Sequence, residues 1–251
     1  MGSVAFIGAG PGSADLITLR GARLLAQADV VLFDALTDPA LRELAPRARW
    51  IDVGKRGFTH ATRQTAINAL LVRSARQHAR VVRLKGGDPS LFGRLEEELE
   101  ALAEHGIECQ VVPGVTAALA AAAAAKRPLT RRGRGRSVAF STAMTQQGEL
   151  RATRSADSEV FYMAGRQLGA LSRRLRDAGW PLDTPVCVVS RAGCSDQWVS
   201  QHRIDTLAHA TVLHSGRPTV VTVGAAAEGV GHHDKTLTHD WQRASEAPAS
   251  T

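Results

Sequence analysis

Cysteine is scarce in this chain. The 251 residues hold three, Cys109, Cys187 and Cys194, and no two stand at a CxxC spacing. An odd count without paired spacing gives neither a disulfide framework nor a zinc site. A reducing compartment, the cytoplasm, is therefore expected. Aromatic residues make up only 4% of the chain, and Tyr162 is the single tyrosine. Single-stranded nucleic-acid sites stack bases on aromatic rings, so this shortage speaks against a nucleic-acid partner. Long apolar runs are missing too. The run from Ala118 to Ala125 is shorter than a membrane span and ends at Lys126 and Arg127, so no membrane association is expected. The N-terminus has no basic n-region and no cleavage site, so no secretory signal is expected. No internal repeat is found.

What the chain does have is positive charge. Its formal net charge is +7 and its pI about 10.1. A basic surface favours anionic partners, either nucleic acid or a small polyanion. The apolar fraction of 44% is ordinary for a globular protein.

Periodicity in the first half alternates strand and helix. Strands are expected at Val4–Gly8, Val30–Asp34, Trp50–Val53, Val81–Leu84 and Cys109–Val112. Helices are expected at Asp15–Ala28, Pro39–Ala45, Thr62–His78 and Arg94–Glu104, the last stopped by Gly106. That alternation predicts a parallel α/β sheet with its binding edge at the carboxyl ends of the strands. In the second half, helices are expected at Val115–Ala125 and Gln167–Ala178. Strands are expected there at Val138–Ser141, Glu159–Met163, Val186–Ser190 and Thr219–Val223. The fold class is thus α/β with two α/β domains. Residues 1–113 carry a mostly parallel sheet and residues 114–228 a mixed one. The polar, aperiodic stretch 229–251 reads as a disordered tail.

Glycine and charge clusters sit where the strands end. The first is GAGPG, residues 8–12. Gly8 and Gly10 fit a dinucleotide fingerprint, and Asp34 ends the next strand. Ser13 stands where the third glycine belongs, and Pro11 removes a backbone N–H that a pyrophosphate would use. A tight turn that merely needs small residues fits the stretch better. The second cluster is KGGDP, Lys85 to Pro89. Its glycines let a ligand approach the backbone, and Asp88 can accept from a ribose diol or cap the following helix. In the third, Pro113-Gly114-Val115-Thr116-Ala117, a hydroxyl and free N–H groups stand at a helix start, though a plain hinge reads the same way. The fourth is a basic loop with Arg131, Arg132, Arg134 and Arg136. Its guanidinium forks suit carboxylates and phosphates, and its bland reading is a solvated loop.

The order of these stretches is more specific than any one of them. GAGPGSADLITLRGARLLAQADVVLFDALTD, GKR, VVRLKGGDPSLFGR, VVPGVTAA, PLTRR and FYM follow one another. This succession, from about Val4 to Val223, resembles the tetrapyrrole methylases, and most of all their uroporphyrinogen-III C-methyltransferase branch. The resemblance implies a homodimer with S-adenosylmethionine in a cleft between the two domains and S-adenosylhomocysteine as product, with no metal needed. It implies cofactor contacts at Pro11, Gly86, Gly87, Asp88, Leu91, Thr116, Ala117, Met163 and Ala192. Asp34 matches the family's proton acceptor and Lys55 its proton donor. Arg94, Arg131 and Arg132 are candidates to hold the carboxylates of a polyanionic tetrapyrrole. The implied reaction is two methylations of uroporphyrinogen III, giving precorrin-2 on the route to sirohaem or cobalamin. No stretch reads as a second enzymatic domain for the later dehydrogenation and chelation.

Some stretches depart from the family pattern. GRGGEE is here GRLEEE, with Leu95 and Glu96 for two glycines. The helix after TAA is all alanine at 120–125, and PLTHR is PLTRR at Arg131. GDPSL and SRAG echo later methylases acting at (cobalt-)precorrin-4. Other readings are an RNA methyltransferase of the same fold, and a dinucleotide-binding oxidoreductase or nucleotide sensor.

Overall fold

The computed structural model describes residues 1–54, 64–143 and 150–230. Lys55 and the tail beyond residue 230 lie outside the described residues, so the expectations for them stand as stated. The described chain forms two five-stranded sheets, one from each half.

The first sheet contains β1 (Ser3–Gly8), β2 (Val30–Phe33), β3 (Arg49–Asp52), β4 (Arg80–Lys85) and β5 (Cys109–Val112), in the order β3-β2-β4-β1-β5. All four pairings are parallel. Parallel strands need crossover helices, which bury both faces of the sheet. Side chains alternate accordingly. Val4 and Phe6 of β1 face α2 (Gln64–Gln77) and α3 (Leu95–Ala103), together with Val30 and Leu32 of β2. Ala5 and Ile7 face the other way, with Val31 and Phe33, onto Leu25 of α1 (Leu19–Leu25) and Leu41. Each fully buried Leu, Ile or Phe contributes about 1.5–3 kcal/mol over leaving it exposed.

The second sheet is mixed. It comprises β6 (Val138–Thr142), β7 (Ser158–Tyr162), β8 (Pro185–Ser190), β9 (Trp198–Arg203) and β10 (Thr219–Gly224), in the order β6-β7-β10-β8-β9. Only β6 and β7 run parallel. Leu168, Leu171 and Leu175 of α5 (Leu168–Asp177) cover one face. The alanine helix α4 (Ala117–Ala124) covers the other through Ala118, Ala120 and Ala121. Alanine is the strongest helix former, and its small side chain lets α4 lie close to the strands.

The expected helix Asp15–Ala28 is broken. A 3₁₀ turn spans Ala14–Leu16, and the chain is extended at Ile17 and Thr18. Thr18 then caps α1, its hydroxyl accepting from the Gly21 N–H at 3.1 Å. The cap gains more than a continuous helix through a threonine would. The segment expected as a helix at Pro39–Ala45 is a 3₁₀ turn, Pro39–Leu44. Strand β9 and the short helix α6 (Ala210–His214) were not expected from periodicity, because β9 is a polar edge strand. No helix among the described residues is long and apolar enough to cross a membrane.

His214 on α6 is fully buried. Its Nε2 lies 2.8 Å from the Ser200 hydroxyl, which also meets Nε2 of His202 at 2.8 Å. Burial, reinforced by His202 and Arg217, pushes its pKa from 6.5 down to about 4. The unfolded chain therefore takes up a proton near pH 6.5 that the folded chain refuses until about pH 4. Stability from this group is complete above the higher value and lost as pH falls through the window. The loss amounts to about 3 kcal/mol. Urea unfolding at pH 7 and at pH 4.5 is expected to show that fall, reduced by most of this amount in His214→Gln. An equal fall in both proteins would refute the assignment.

Candidate functional site

The carboxyl ends of β1, β4 and β5 converge on glycine. A Cβ on Gly8 would stand 2.6 Å from the Gly114 Cα and 2.8 Å from the Gly87 carbonyl oxygen. A Cβ on Gly114 would collide with the same carbonyl. Beyond this contact the loops after β1 and β4 pair briefly. The Gly10 N–H donates to Gly87 O at 3.2 Å, and the Gly87 N–H to Gly10 O at 2.9 Å.

Two carboxylates tie further loops to this centre. Asp88 accepts from the Gly114 N–H and from the Ser90 N–H, both at 2.8 Å. It therefore staples the loop after β4 to the loop after β5. It does not cap α3, whose N-cap position is Arg94. Asp38 accepts from the Ala14 and Ala40 N–H groups, both at 2.9 Å. It holds the loop after β2 against the loop after β1.

The second half supplies the facing wall. Gly12 and Gly193 meet backbone to backbone, at φ of +80° and +82°. A Cβ on Gly12 would lie 2.5 Å from the Gly193 carbonyl carbon, and one on Gly193 would strike the Pro11 carbonyl. The loop carrying Gly193 is braced by Asp196, which pairs with Arg191 at 2.7 Å and Arg217 at 2.9 Å. The Arg191 hydrogen bond holds the Asp196 carboxyl below its usual range. On the α4 side, the Thr116 hydroxyl at the N-cap is hydrogen-bonded not to the helix but with the Tyr162 hydroxyl, 2.6 Å away. Burial pushes the Tyr162 pKa up, so it stays a neutral phenol, and the Thr116 hydrogen bond opposes this.

These loops enclose a cavity of about 720 Å³, within the usual range for small-molecule sites. Pro11, Gly86, Gly87, Asp88 and Leu91 line it from the first half. Thr116, Ala117, Met163 and Ala192 line it from the second. The nine positions expected to contact a cofactor are thus brought together. Asp34 stands one residue before Ala35, where the loop after β2 starts to line the cavity. Its carboxylate is paired with Arg83 at 2.6 Å. Arg94 points elsewhere and forms a two-pronged pair with Glu97, at 2.7 and 2.8 Å on the surface. Arg131 pairs with Glu228 past the far end of β10, and Arg132 is exposed beside it. Asp38 and Tyr162 also line the cavity and were not expected there. Tyr162 adjoins the FYM methionine, which was the available signal.

A family model for the Tetrapyrrole (Corrin/Porphyrin) Methylases matches residues 3–208. The chain belongs to the tetrapyrrole methylases. It is 44% identical over 200 residues to the uroporphyrinogen-III C-methyltransferase of Pseudomonas aeruginosa, a match covering 78% of this chain and 82% of that protein. It is 41% identical over 241 residues to the siroheme synthase of Psychrobacter cryohalolentis, covering 93% of this chain and 46% of the relative. The chain thus spans about half the length of the siroheme synthases it matches. Among solved structures, the Thermus thermophilus uroporphyrin-III C-methyltransferase complexed with S-adenosylhomocysteine superposes with a TM-score of 0.79 at 35% identity, covering 90% of this chain and 98% of that one.

In this tetrapyrrole methylase the Gly12–Gly193 contact closes the cavity between loops of the two sheets. Gly193→Ala forces a side chain onto the Pro11 carbonyl at a left-handed φ, which costs about 1–3 kcal/mol. Thermal melting is expected to fall by roughly 2–4 °C per kcal/mol lost. An unchanged melting temperature would show that the two loops do not touch.

Proposed function

We propose that this chain is an S-adenosylmethionine-dependent C-methyltransferase that methylates uroporphyrinogen III twice, giving precorrin-2. The observation that carries the reading is the gathering of Pro11, Gly86, Gly87, Asp88, Leu91, Thr116, Ala117, Met163 and Ala192 around one cavity. The identity to the Pseudomonas aeruginosa methyltransferase, which extends over most of both chains, supports the substrate.

The residues present suit such a cofactor. At Gly87 a Cβ would meet nothing nearer than 3.9 Å, and at Gly86 nothing nearer than 3.4 Å. The backbone there lies bare to the cavity, and a side chain would fill space the ligand needs. Asp88 has spent two of its acceptor sites on backbone N–H groups and keeps others for a ribose diol. Asp38 and Asp88 add negative charge to the wall, which favours a sulfonium. When bound, S-adenosylmethionine supplies an electrophilic methyl group and a neutral thioether leaving group. The chain's own task is then to hold a pyrrole carbon in line with that methyl and to take up the proton the ring gives off. Asp34 is the proton acceptor in this reading, Lys55 the donor, and Arg94, Arg131 and Arg132 the candidates for the substrate's carboxylates. The two halves act as domains 1–113 and 114–228, in a cytoplasmic homodimer, and the reaction proceeds without a metal.

Purified protein is expected to bind S-adenosylhomocysteine and not NADH in calorimetry, and to place two labelled methyl groups on uroporphyrinogen III. Binding without porphyrinogen turnover would move the substrate to a later corrin precursor. Label on RNA in its place would favour the RNA methyltransferase reading. Asp88→Ala is expected to weaken S-adenosylhomocysteine binding by about tenfold, a loss of about 1.4 kcal/mol, and to change the KM for the tetrapyrrole less. An unchanged cofactor affinity would remove Asp88 from the site.

A further inference from the structure

The face of β4 that packs on α2 and α3 carries two buried cations. Arg83 is 3% exposed and Lys85 2%. A charge out of water is tolerated only when paired and hydrogen-bonded, and both are. Glu98 of α3, itself 0% exposed, takes the Arg83 Nε on one carboxylate oxygen at 3.0 Å and the Lys85 Nζ on the other at 2.7 Å. Gln64 of α2 donates to the Arg83-bound oxygen at 3.3 Å. Two arms of the Arg83 guanidinium remain, and Nη2 reaches the Asp34 carboxylate at 2.6 Å. Its Nη1 donates to the carbonyls of Leu32 in the neighbouring β2, at 3.5 Å, and of Leu84 in β4 itself, at 3.2 Å. The guanidinium plane is fixed on every edge.

Asp34 is different. Its side chain is 32% exposed. Among the described residues its carboxylate makes one ion pair, to Arg83. The exposed end of the network is therefore the single group that the proposed reaction uses, and Arg83, Lys85 and Glu98 behind it are buried. We propose that Arg83 is a positioning residue, fixing the Asp34 carboxylate at the end of β2 for proton acceptance, and that Glu98 and Lys85 fix Arg83. This rests on Asp34 being the acceptor. Two cations and two anions leave the cluster neutral, so Asp34 is oriented without a surplus of buried charge. Arg83 does not line the cavity, and its part is geometric.

The test is a double-mutant cycle on methyl transfer with Asp34→Asn, Arg83→Met and the double variant. If the residues act as one unit, each single change lowers kcat by about tenfold to a hundredfold. The double change then lowers it no further than the larger single one. S-adenosylhomocysteine affinity stays within about twofold, since the cavity wall is untouched. Losses that multiply would overturn the proposal, as would a normal kcat in Arg83→Met. Should Asp34→Asn turn over normally, the acceptor role fails, and the positioning role fails with it. A buried charge left unpaired can unfold the chain, so Arg83→Lys and Glu98→Gln are made in parallel. Each keeps its charge or its shape while losing the two-armed bridge, and each is expected to lower kcat with KM held. A crystal structure of Arg83→Met gives a readout independent of turnover. There Asp34 is expected to leave its place, and an unmoved carboxylate would overturn the proposal even if no substrate were turned over.

Discussion

Three strand ends meet so closely that two of the glycines there, Gly8 and Gly114, have room for hydrogen alone as a side chain. Gly8, Gly87 and Gly114 lie so close that a methyl on Gly8 or Gly114 would overlap backbone atoms of its neighbours. Parallel strands already stand about 4.8 Å apart, but their loops normally splay once the ladder ends. Here they are drawn together, and the short Gly10–Gly87 pairing extends the contact past the sheet. Everything else at the cavity hangs on that closeness. Asp88 can reach Gly114 because the two loops already touch, and α4 starts three residues further on, where Thr116 meets Tyr162. A wider junction would leave Asp88 short of its acceptor role and detach the first half's wall from the second's.

Much of this was legible in the sequence, for identifiable reasons. Apolar strands of four to six residues, alternating with amphipathic helices, announce a parallel sheet whatever the chain later does. Glycine and proline after a strand mark where backbone must be bare or bent. The order of GPG, KGGD and GVTA therefore carried both the fold and the lining residues. Side-chain partners were less legible. Asp88 read as a ribose acceptor or a helix cap, and it is bonded to two loop N–H groups. Arg94 and Arg131 looked free because charge in a sequence carries no address. Their partners, Glu97 and Glu228, lie respectively one turn away and at the far end of β10. Thr18 broke a helix that periodicity had drawn unbroken, since the pattern of leucines is indifferent to two extended residues between them.

The buried charges gave a signal that periodicity alone could have read. Along β4 the residues facing α2 and α3 are Val81, Arg83 and Lys85. On α3, Leu95 and Leu102 flank Glu98 on the face that packs inward. A charge at an inward position of a strand, and an opposite charge at an inward position of the helix that follows it, call for each other. Neither would be stable alone in the core. Such a cluster adds little net stability over an apolar replacement. Its presence in the first sheet fits the positioning role proposed for it at its exposed end, where Arg83 meets Asp34.

The cavity combines a stiff base with a strained rim. Its base is tied by backbone pairs and by the carboxylates of Asp38 and Asp88, so little loop freedom remains to be lost when a ligand enters. The rim is another matter. Phe92, Met163 and Arg191 line it at φ of +53°, +59° and +51°, a region that side-chain-bearing residues enter at a cost of about 1–3 kcal/mol each. Each is compensated nearby. Phe92 lies with its ring 5.0 Å from that of Tyr162, and Arg191 is paired with Asp196. Met163 directly follows β7, where Tyr162 still pairs with Val220. A relaxed backbone at these places would carry the three side chains in other directions. The strain keeps them on the wall, and the hydrogen-bonded base beneath supplies the rigidity against which it is held.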